Sequence, residues 1–447
     1  MANARTAAVR LLLHIAQENA YVNLLLHARL GTLGLDARDQ ALCSALVYGV
    51  LERRITLDYV IASHTPKKLS EIDPLPLECL RVGAYQLLFM DRVPPSAAIN
   101  ESVRTVKFLG GARSAGFVNA VLHAIDRDGK KIALPPEKNW RTYLSVKYSC
   151  PQWIVRLWRS AYGADCAEAL LAAMLGRPPL TVRVNTTRIS AEACVQRLAE
   201  CGVTAESCTI PDALALTRTG PVEQLAPYAA GLFHVQDLAS QICVGLLDPQ
   251  PGMRVADVCA APGGKSFTMA ERMQNCGRID AFDLYPQRAS LIADGAARLG
   301  LTCIHAGVRD AQTGAVDAQT GAVDAQCDRV LCDVPCSGLG VLRRKPEIRY
   351  KSKEMLDNLP DLQYSILAHT AQMVAPGGRL LYSTCTLNPA ENDAVAARVA
   401  QEHPEFAPEP LDGALPHYGP EPSHQITLMP QIHGTDGFFA ARFRRCD

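Results

Sequence analysis

From about residue 231 to near residue 402 the chain alternates short apolar runs with helical segments. That alternation limits the fold more than any other feature. Strands are predicted at 253–259, 278–284, 302–306, 328–334 and 378–384, with helices between most of them. Strands and helices of these lengths in alternation give an α/β domain with a mostly parallel sheet. The first strand runs into Cys259-Ala-Ala-Pro-Gly-Gly-Lys265, a glycine-rich turn followed by a helix. Such a strand–turn–helix opens a nucleotide-binding, Rossmann-like sheet, whose site lies at the carboxyl ends of its strands.

Two further segments precede this domain. Residues 1 to about 130 read as all helical, with apolar residues at spacings of three and four: Val9, Leu12, Leu13 and Ala16, then Leu42, Leu46, Val47, Val50 and Leu51. A third helical stretch, Leu77 to Met90, stops before Val93-Pro94-Pro95, and Ser96 and Asn100 are placed to cap the next helix. Residues 132–140 read as a linker. After a helical stretch from 141 to about 176, Leu180–Asn185 alternates like a strand, and a helix follows from Ser190, its cap, to Cys201, stopped by Gly202. The expected division is a helical domain over 1–135, a small α+β linking module over 141–230 and the α/β domain over 231–447.

Charge does not name a partner. Lysine plus arginine equal aspartate plus glutamate at 45 each. Over residues 1–131 there are 16 basic against 12 acidic side chains. That fits either RNA contact or a solvated helical surface. The 16 cysteines are scattered through apolar runs and include no Cys-x-x-Cys pair. Reduced cytosolic thiols are therefore expected, and no metal site. The N-terminal apolar run is interrupted by His14 and lacks a signal-peptide core, and no stretch approaches the length of a membrane span. The tandem Ala311–Asp317 and Ala318–Asp324 repeat is too short for a solenoid and reads as a duplication in a surface loop without function.

Chemistry gathers at the strand ends. Asp283 ends the second strand, where a carboxylate suits ribose hydroxyls. Asp310 is expected at the end of the third, placed to accept from an adenine amino group, and Asp333 ends the fourth. Gly264-Lys265-Ser266 lacks the first glycine of a phosphate loop, and no dinucleotide fingerprint is present. Acidic strand ends without a phosphate cradle fit S-adenosylmethionine better than a nicotinamide dinucleotide. Cys336 and Cys385 follow the fourth and fifth strands, which brings two thiols to the same crevice and suggests covalent chemistry on an electrophilic ring. Buried structural thiols are the alternative.

These strings resemble the Sun/Fmu (RsmB) family of RNA cytosine-5 methyltransferases over nearly the whole chain. Cys259–Lys265 is similar to the family's methyl-donor turn. Asp333-Val-Pro-Cys336-Ser-Gly, and Ser383-Thr-Cys385-Thr with Glu391-Asn392-Asp393, are similar to its two catalytic motifs. Gly338–Glu347 and Gly434-Thr-Asp-Gly-Phe-Phe439 add to the match. Leu46–Leu51, Leu80–Leu87, Ala98–Val103 and Phe117–Leu122 resemble the NusB-like RNA-binding domain of the bacterial subfamily. Two departures stand out: the duplication after Asp310, and Asp393 where the family usually has Glu.

The resemblance implies S-adenosylmethionine held by Cys259, Ala260, Ala261, Pro262, Gly263, Gly264, Lys265, Asp283, Asp310 and Asp333. It implies one cytidine of 16S ribosomal RNA as substrate; no membrane involvement, a cytoplasmic location and a monomer are expected besides. Cys385 would add to carbon 6 of the base, Asp333 would bond the ring at nitrogen 3 and the amino group, and Cys336 would assist proton removal and release. The basic residues Arg343, Arg344, Lys345, Arg349, Lys351 and Lys353 follow the first catalytic motif, and Arg343, Arg344 and Lys345 are the candidate RNA contacts. A solvated face is the alternative. Two other readings stay open: the same chemistry on transfer RNA, which the N-terminal domain argues against, and a non-catalytic RNA-binding or antitermination factor, which the donor turn and both cysteines argue against.

Overall fold

The helix Ala37–Ser63 opens where the Asp36 carboxylate accepts from the Asp39 N–H at 2.7 Å, satisfying a donor that the first turn leaves unpaired. Its face of Leu46, Val47, Val50 and Leu51 is buried in the core shared with helices Ala4–Glu18 and Pro74–Phe89. The computed structural model describes residues 3–18, 22–314, 326–411 and 423–446. The chain divides into two units: residues 1–176 with 342–351, and residues 177–341 with 352–447. The duplicated heptapeptide lies, from residue 315 on, outside the described residues. Among the described residues no helix is long and apolar enough to cross a membrane.

The first unit is helical, as expected, with two differences from the sequence reading. Ser96 and Asn100 do not cap a helix. They lie inside helix Pro95–Phe108, which begins at a proline whose fixed φ and missing N–H suit the first helical position. The helices Trp140–Lys147, Gln152–Tyr162 and Ala164–Ala173, expected in the linking module, belong to the first unit. The first of them is fastened there by Thr56, whose hydroxyl donates to Val146 O at 2.6 Å, and the turn after it by Ser149, whose Oγ accepts from the Ile55 N–H at 3.0 Å.

The second unit contains two sheets. Strands β1 (Leu180–Val184), β2 (Thr204–Ser207), β3 (Ala213–Thr217) and β4 (Phe233–Val235) form an antiparallel sheet in the order β2-β3-β1-β4. Helix Ala191–Glu200 is capped by Ser190, as read from the sequence. Because β4 pairs with β1, this module extends past residue 230, where its end was expected.

The larger sheet comprises β5 (Arg254–Asp257), β6 (Arg278–Asp283), β7 (Ile304–Val308), β8 (Cys327–Asp333), β9 (Val374–Thr384), β10 (Phe406–Pro408), β11 (Gln425–Leu428) and β12 (Phe438–Arg445). Its order is β10-β12-β9-β8-β5-β6-β7, with β11 on β12. The core β9-β8-β5-β6-β7 is parallel, and β12 runs antiparallel to β9. The period of two along each strand divides the apolar residues between two faces. Val255, Leu331 and Leu381 pack with helix Leu238–Leu247, while Ala256, Val330 and Leu380 pack with Ile366, Leu367, Val395 and Val399. Strand order reverses beside β5, whose neighbours β6 and β8 take the chain in opposite directions. In open α/β sheets that reversal opens the ligand crevice.

Candidate active site

Strands β8 and β9 are parallel neighbours with Asp333 opposite Ser383, so the segments leaving them emerge side by side. That register carries Cys336 and Cys385 together, with 3.3 Å between their sulfurs. Both residues are partly exposed. The backbone fixes the pair further. Gly340 N–H donates to Cys385 O at 3.0 Å, and Gly437 N–H donates to Gly340 O at 2.9 Å. A Cβ at Gly340 would stand 2.0 Å from Gly437 O, so only glycine permits this approach. The strings Gly338–Glu347 and Gly434–Phe439 therefore meet at the backbone of Cys385. Asn392 locks the same segment: its Oδ1 accepts from Thr384 Oγ1 at 2.6 Å and its Nδ2 donates to Thr386 O at 3.0 Å. Asp393 stands apart, accepting from Gln425 Nε2 at 2.9 Å.

A cleft of about 230 Å³ opens at Asp333, three residues before Cys336, and neither Cys336 nor Cys385 lines it. Its lining includes Cys259, Ala260, Ala261, Pro262, Gly264, Lys265 and Asp333, all expected there. Gly263, with φ of 109°, turns the chain into helix Gly264–Arg272. Lys265 Nζ donates to Asp333 Oδ2 at 2.7 Å, and Ser383 Oγ donates to Asp333 Oδ1 at 2.8 Å. Burial is the largest influence and would lower the Lys265 pKa, but the Asp333 charge and hydrogen bond together with the other acidic neighbours outweigh it and the pKa is raised, so the ammonium stays charged. Burial drives the Cys259 thiol well above its usual range, which marks it as a wall rather than a nucleophile. Cys336 is also held well above the ordinary thiol range, first by its hydrogen bond to Cys385 and then by burial.

Two other acidic residues behave differently. Asp283 ends β6 as expected, but it is buried, and it accepts from Arg288 Nε at 3.1 Å and from the Tyr285 N–H at 3.3 Å. Arg288 also donates to Ala261 O at 3.1 Å, which ties Asp283 to the glycine-rich turn. Asp310 is not at a strand end. Strand β7 stops at Val308, and the Asp310 carboxylate closes its own turn by accepting from the Gln312 N–H at 2.8 Å. Neither lines the cleft.

Arg349 is a clear correction. It is 1% exposed, in the segment 342–351 of the first unit, and it donates to Glu52 O at 2.7 Å and Met174 O at 2.6 Å. A guanidinium so enclosed cannot hold phosphate. Arg343, Arg344 and Lys345 lie in the same segment and are partly exposed.

The sequence reading missed Val235, Gln236, Asp237, Ser240 and Asp257 in the cleft lining, and two of these carry polar atoms left without a partner. Asp257 is 1% exposed, accepts from Ser266 Oγ at 2.7 Å, and has its pKa pushed up to about 7 by burial. It ends β5 as Asp333 ends β8, and was hidden because that strand was expected to run on to Cys259. Gln236 follows β4 in the other sheet, so no local pattern points to it. Its Oε1 accepts from Thr268 Oγ1 at 2.6 Å. Its Nε2, and Oδ1 of Asp257, have no hydrogen-bond partner among the described residues, although both are buried. An unmet donor and an unmet acceptor beside Lys265 suit the carboxylate and ammonium of an amino-acid moiety, as S-adenosylmethionine carries. The residues present fit that group.

The family model described as 16S rRNA methyltransferase RsmB/F matches residues 244–444, the NusB family matches 2–127, and an RsmF/B-like methyltransferase ferredoxin-like domain matches 150–223. The probable ribosomal RNA small subunit methyltransferase B of Bacillus subtilis is 35% identical over 446 residues, covering 99% of this chain and 98% of that one. The chain belongs to the RsmB/F family. A relative from Synechocystis, also named a probable ribosomal RNA small subunit methyltransferase B, is 36% identical and covers 100% of both chains. Among solved structures PH0851 is similar with a TM-score of 0.81 and 26% identity, covering 100% of this chain and 99% of that one. As an RsmB/F member the protein is an S-adenosylmethionine-dependent rRNA cytosine-C5 methyltransferase, and its helical and α/β parts are the NusB-like and Rossmann-like domains of that family.

Proposed function

We propose that Cys385 is the nucleophile, Cys336 the residue that completes release, and Asp333 the group that holds the base. The observation that carries this division is the 3.3 Å approach of the two sulfurs beside the Lys265–Asp333 pair. Carbon 5 of cytosine is a poor nucleophile until carbon 6 is saturated, and a thiolate is suited to that addition near neutral pH. Two thiols this close share protons, so they titrate as a pair. The pair sheds one proton, and Cys385, which stands where the family's second catalytic motif carries its cysteine, forms the sulfur–carbon 6 bond as the thiolate.

Asp333 keeps lone pairs beyond those taken by Lys265 and Ser383, and accepts from the exocyclic amino group of cytosine. Uracil offers a carbonyl oxygen there and is rejected. Electron density displaced into the ring meets the positive charge of Lys265. S-adenosylmethionine, held by Cys259–Lys265 with Asp257 and Gln236, supplies the methyl group taken by carbon 5. Once Cys385 is a thioether, the strongest influence raising the Cys336 pKa is gone. Cys336 then gives its own proton to solvent, takes the one on carbon 5, and Cys385 leaves as a thiolate.

The target is extruded from its stack to reach the cleft, at a cost of a few kcal/mol. Arg343, Arg344 and Lys345 are proposed to hold phosphates, and residues 1–135 to dock the 16S rRNA. The enzyme is proposed to act as a monomer in the cytoplasm. The test is methyl-labelled S-adenosylmethionine with small-subunit rRNA, followed by digestion to nucleosides. Label is expected in 5-methylcytidine alone and absent with Cys385→Ala. Label in another nucleoside, or persisting in that variant, overturns the proposal.

A further inference from the structure

One side chain fastens the two thiol-bearing segments together. Glu391 is 0% exposed, yet its carboxylate accepts four hydrogen bonds. Oε2 takes the Ser337 N–H at 2.8 Å and Gln363 Nε2 at 2.9 Å, while Oε1 takes Ser337 Oγ at 2.5 Å and Asn388 Nδ2 at 2.9 Å. A carboxylate so deeply buried is costly unless its lone pairs are filled, and here they are.

The partners stand on both sides of the reacting sulfurs. Ser337 follows Cys336 directly. The Pro335 carbonyl, which precedes Cys336, accepts from the same Gln363 Nε2 at 3.0 Å. Ser337 Oγ lies 2.6 Å from the hydroxyl of Thr386, the residue after Cys385. The carbonyl of Glu391 in turn accepts from Tyr382 Oη at 2.5 Å, on β9 just before Cys385. No comparable bond from Glu391 reaches the cleft side, among the described residues.

We infer that Glu391 is a positioning residue for the release step, setting where Cys336 stands relative to Cys385 through Ser337 and Gln363. The inference rests on the reading of Cys336 as the releasing residue. Addition needs only the Cys385 sulfur and the base. Elimination needs a second group placed against the carbon 5 proton, so a displaced Cys336 leaves the RNA attached. In Glu391→Gln an NH₂ replaces one oxygen, and whichever one it replaces, its N–H bonds face two donors: Ser337 N–H and Gln363, or Ser337 Oγ and Asn388.

The experiment follows methyl transfer to small-subunit rRNA and runs the products on denaturing gels, with Cys336→Ala as the benchmark for a stalled adduct. Glu391→Gln is expected to slow turnover at least about tenfold and to accumulate a protein–RNA adduct, with KM for S-adenosylmethionine unchanged within about twofold. Adding Cys385→Ala removes the adduct. Ser337→Ala deletes one donor, keeps the carboxylate, and is expected to accumulate a smaller amount of adduct, which covers the case in which Glu391→Gln fails to fold. Slow turnover without adduct, where Cys336→Ala does accumulate it, reduces Glu391 to a structural role and overturns the inference. Absence of adduct from Cys336→Ala removes the releasing role itself, and the inference falls with it.

Discussion

Replacing Gly340 by alanine tests how closely the catalytic segment is packed. The added Cβ would stand 2.0 Å from Gly437 O, 2.5 Å from Gly437 C and 2.8 Å from Cys385 O. Non-bonded contact begins near ~3.4 Å, so the two backbones must part by more than about 1 Å. None of the three atoms belongs to a flexible side chain, so the strain moves the main chain that carries Cys385. The bonds Gly340 N–H to Cys385 O and Gly437 N–H to Gly340 O lengthen together. Overpacking costs about 1–3 kcal/mol and each weakened hydrogen bond about 1 kcal/mol more. For a unit of this size that is a fall of roughly 5–15 °C in melting temperature. A displacement of about 1 Å at a reacting atom costs on the order of a hundredfold in rate. The assay is single-turnover methyl transfer at 25 °C, below the melting of the variant, alongside a thermal melt. A rate within twofold of wild type would refute the claim that this glycine pair sets the position of Cys385.

Other perturbations separate the remaining parts of the account. The Asp257 pKa is raised to about 7, so the folded protein binds a proton the unfolded chain has released, and stability falls as pH climbs from about 4 to about 7 and stays reduced above it. Asp257→Asn should flatten the dependence of melting temperature on pH over pH 5–8, where the wild-type protein loses about 3 kcal/mol on the scale of 1.36 kcal/mol per pKa unit; an equal fall in both proteins refutes it. Gln236→Ala removes the unmet donor and should weaken S-adenosylmethionine binding about fivefold to tenfold by calorimetry, with the melting temperature little changed; unchanged affinity places the donor outside the binding site. Arg349→Met breaks two hydrogen bonds to carbonyls and should cost the first unit about 2–4 kcal/mol in denaturant unfolding. The double change Arg343→Ala with Arg344→Ala should instead weaken rRNA binding and flatten its dependence on salt. Exchange of those two phenotypes would reverse the assignment.

Much of the site was legible because its residues end strands. Apolar runs 253–259, 328–334 and 378–384 marked β5, β8 and β9, and parallel pairing of β8 with β9 does the rest, bringing Cys336 to Cys385. Lys265 and Asp333 were named separately, but their ion pair is a property of the fold. What escaped depends on distant pairing. Strand β12 was not expected, since the strand–helix alternation was followed only to near residue 402, yet its pairing with β9 is what brings Gly437 to Gly340. Arg349 looked like one of a basic run, because sequence does not show that Pro346–Tyr350 packs within the helical unit. Asp310 misled for a local reason: strand β7 ends at Val308, two residues short of it, and its carboxylate closes the turn to Gln312.

The central claim is that attack and release belong to different sulfurs, and a trapped intermediate tests it most directly. Cys336→Ala incubated with small-subunit rRNA and methyl-labelled S-adenosylmethionine should yield a stable protein–RNA adduct. After digestion with nuclease and protease, mass spectrometry should find a methylated cytosine nucleotide on the peptide containing Cys385. The same nucleotide on a cysteine other than Cys385, or full turnover by Cys336→Ala with no adduct, would contradict the division of labour.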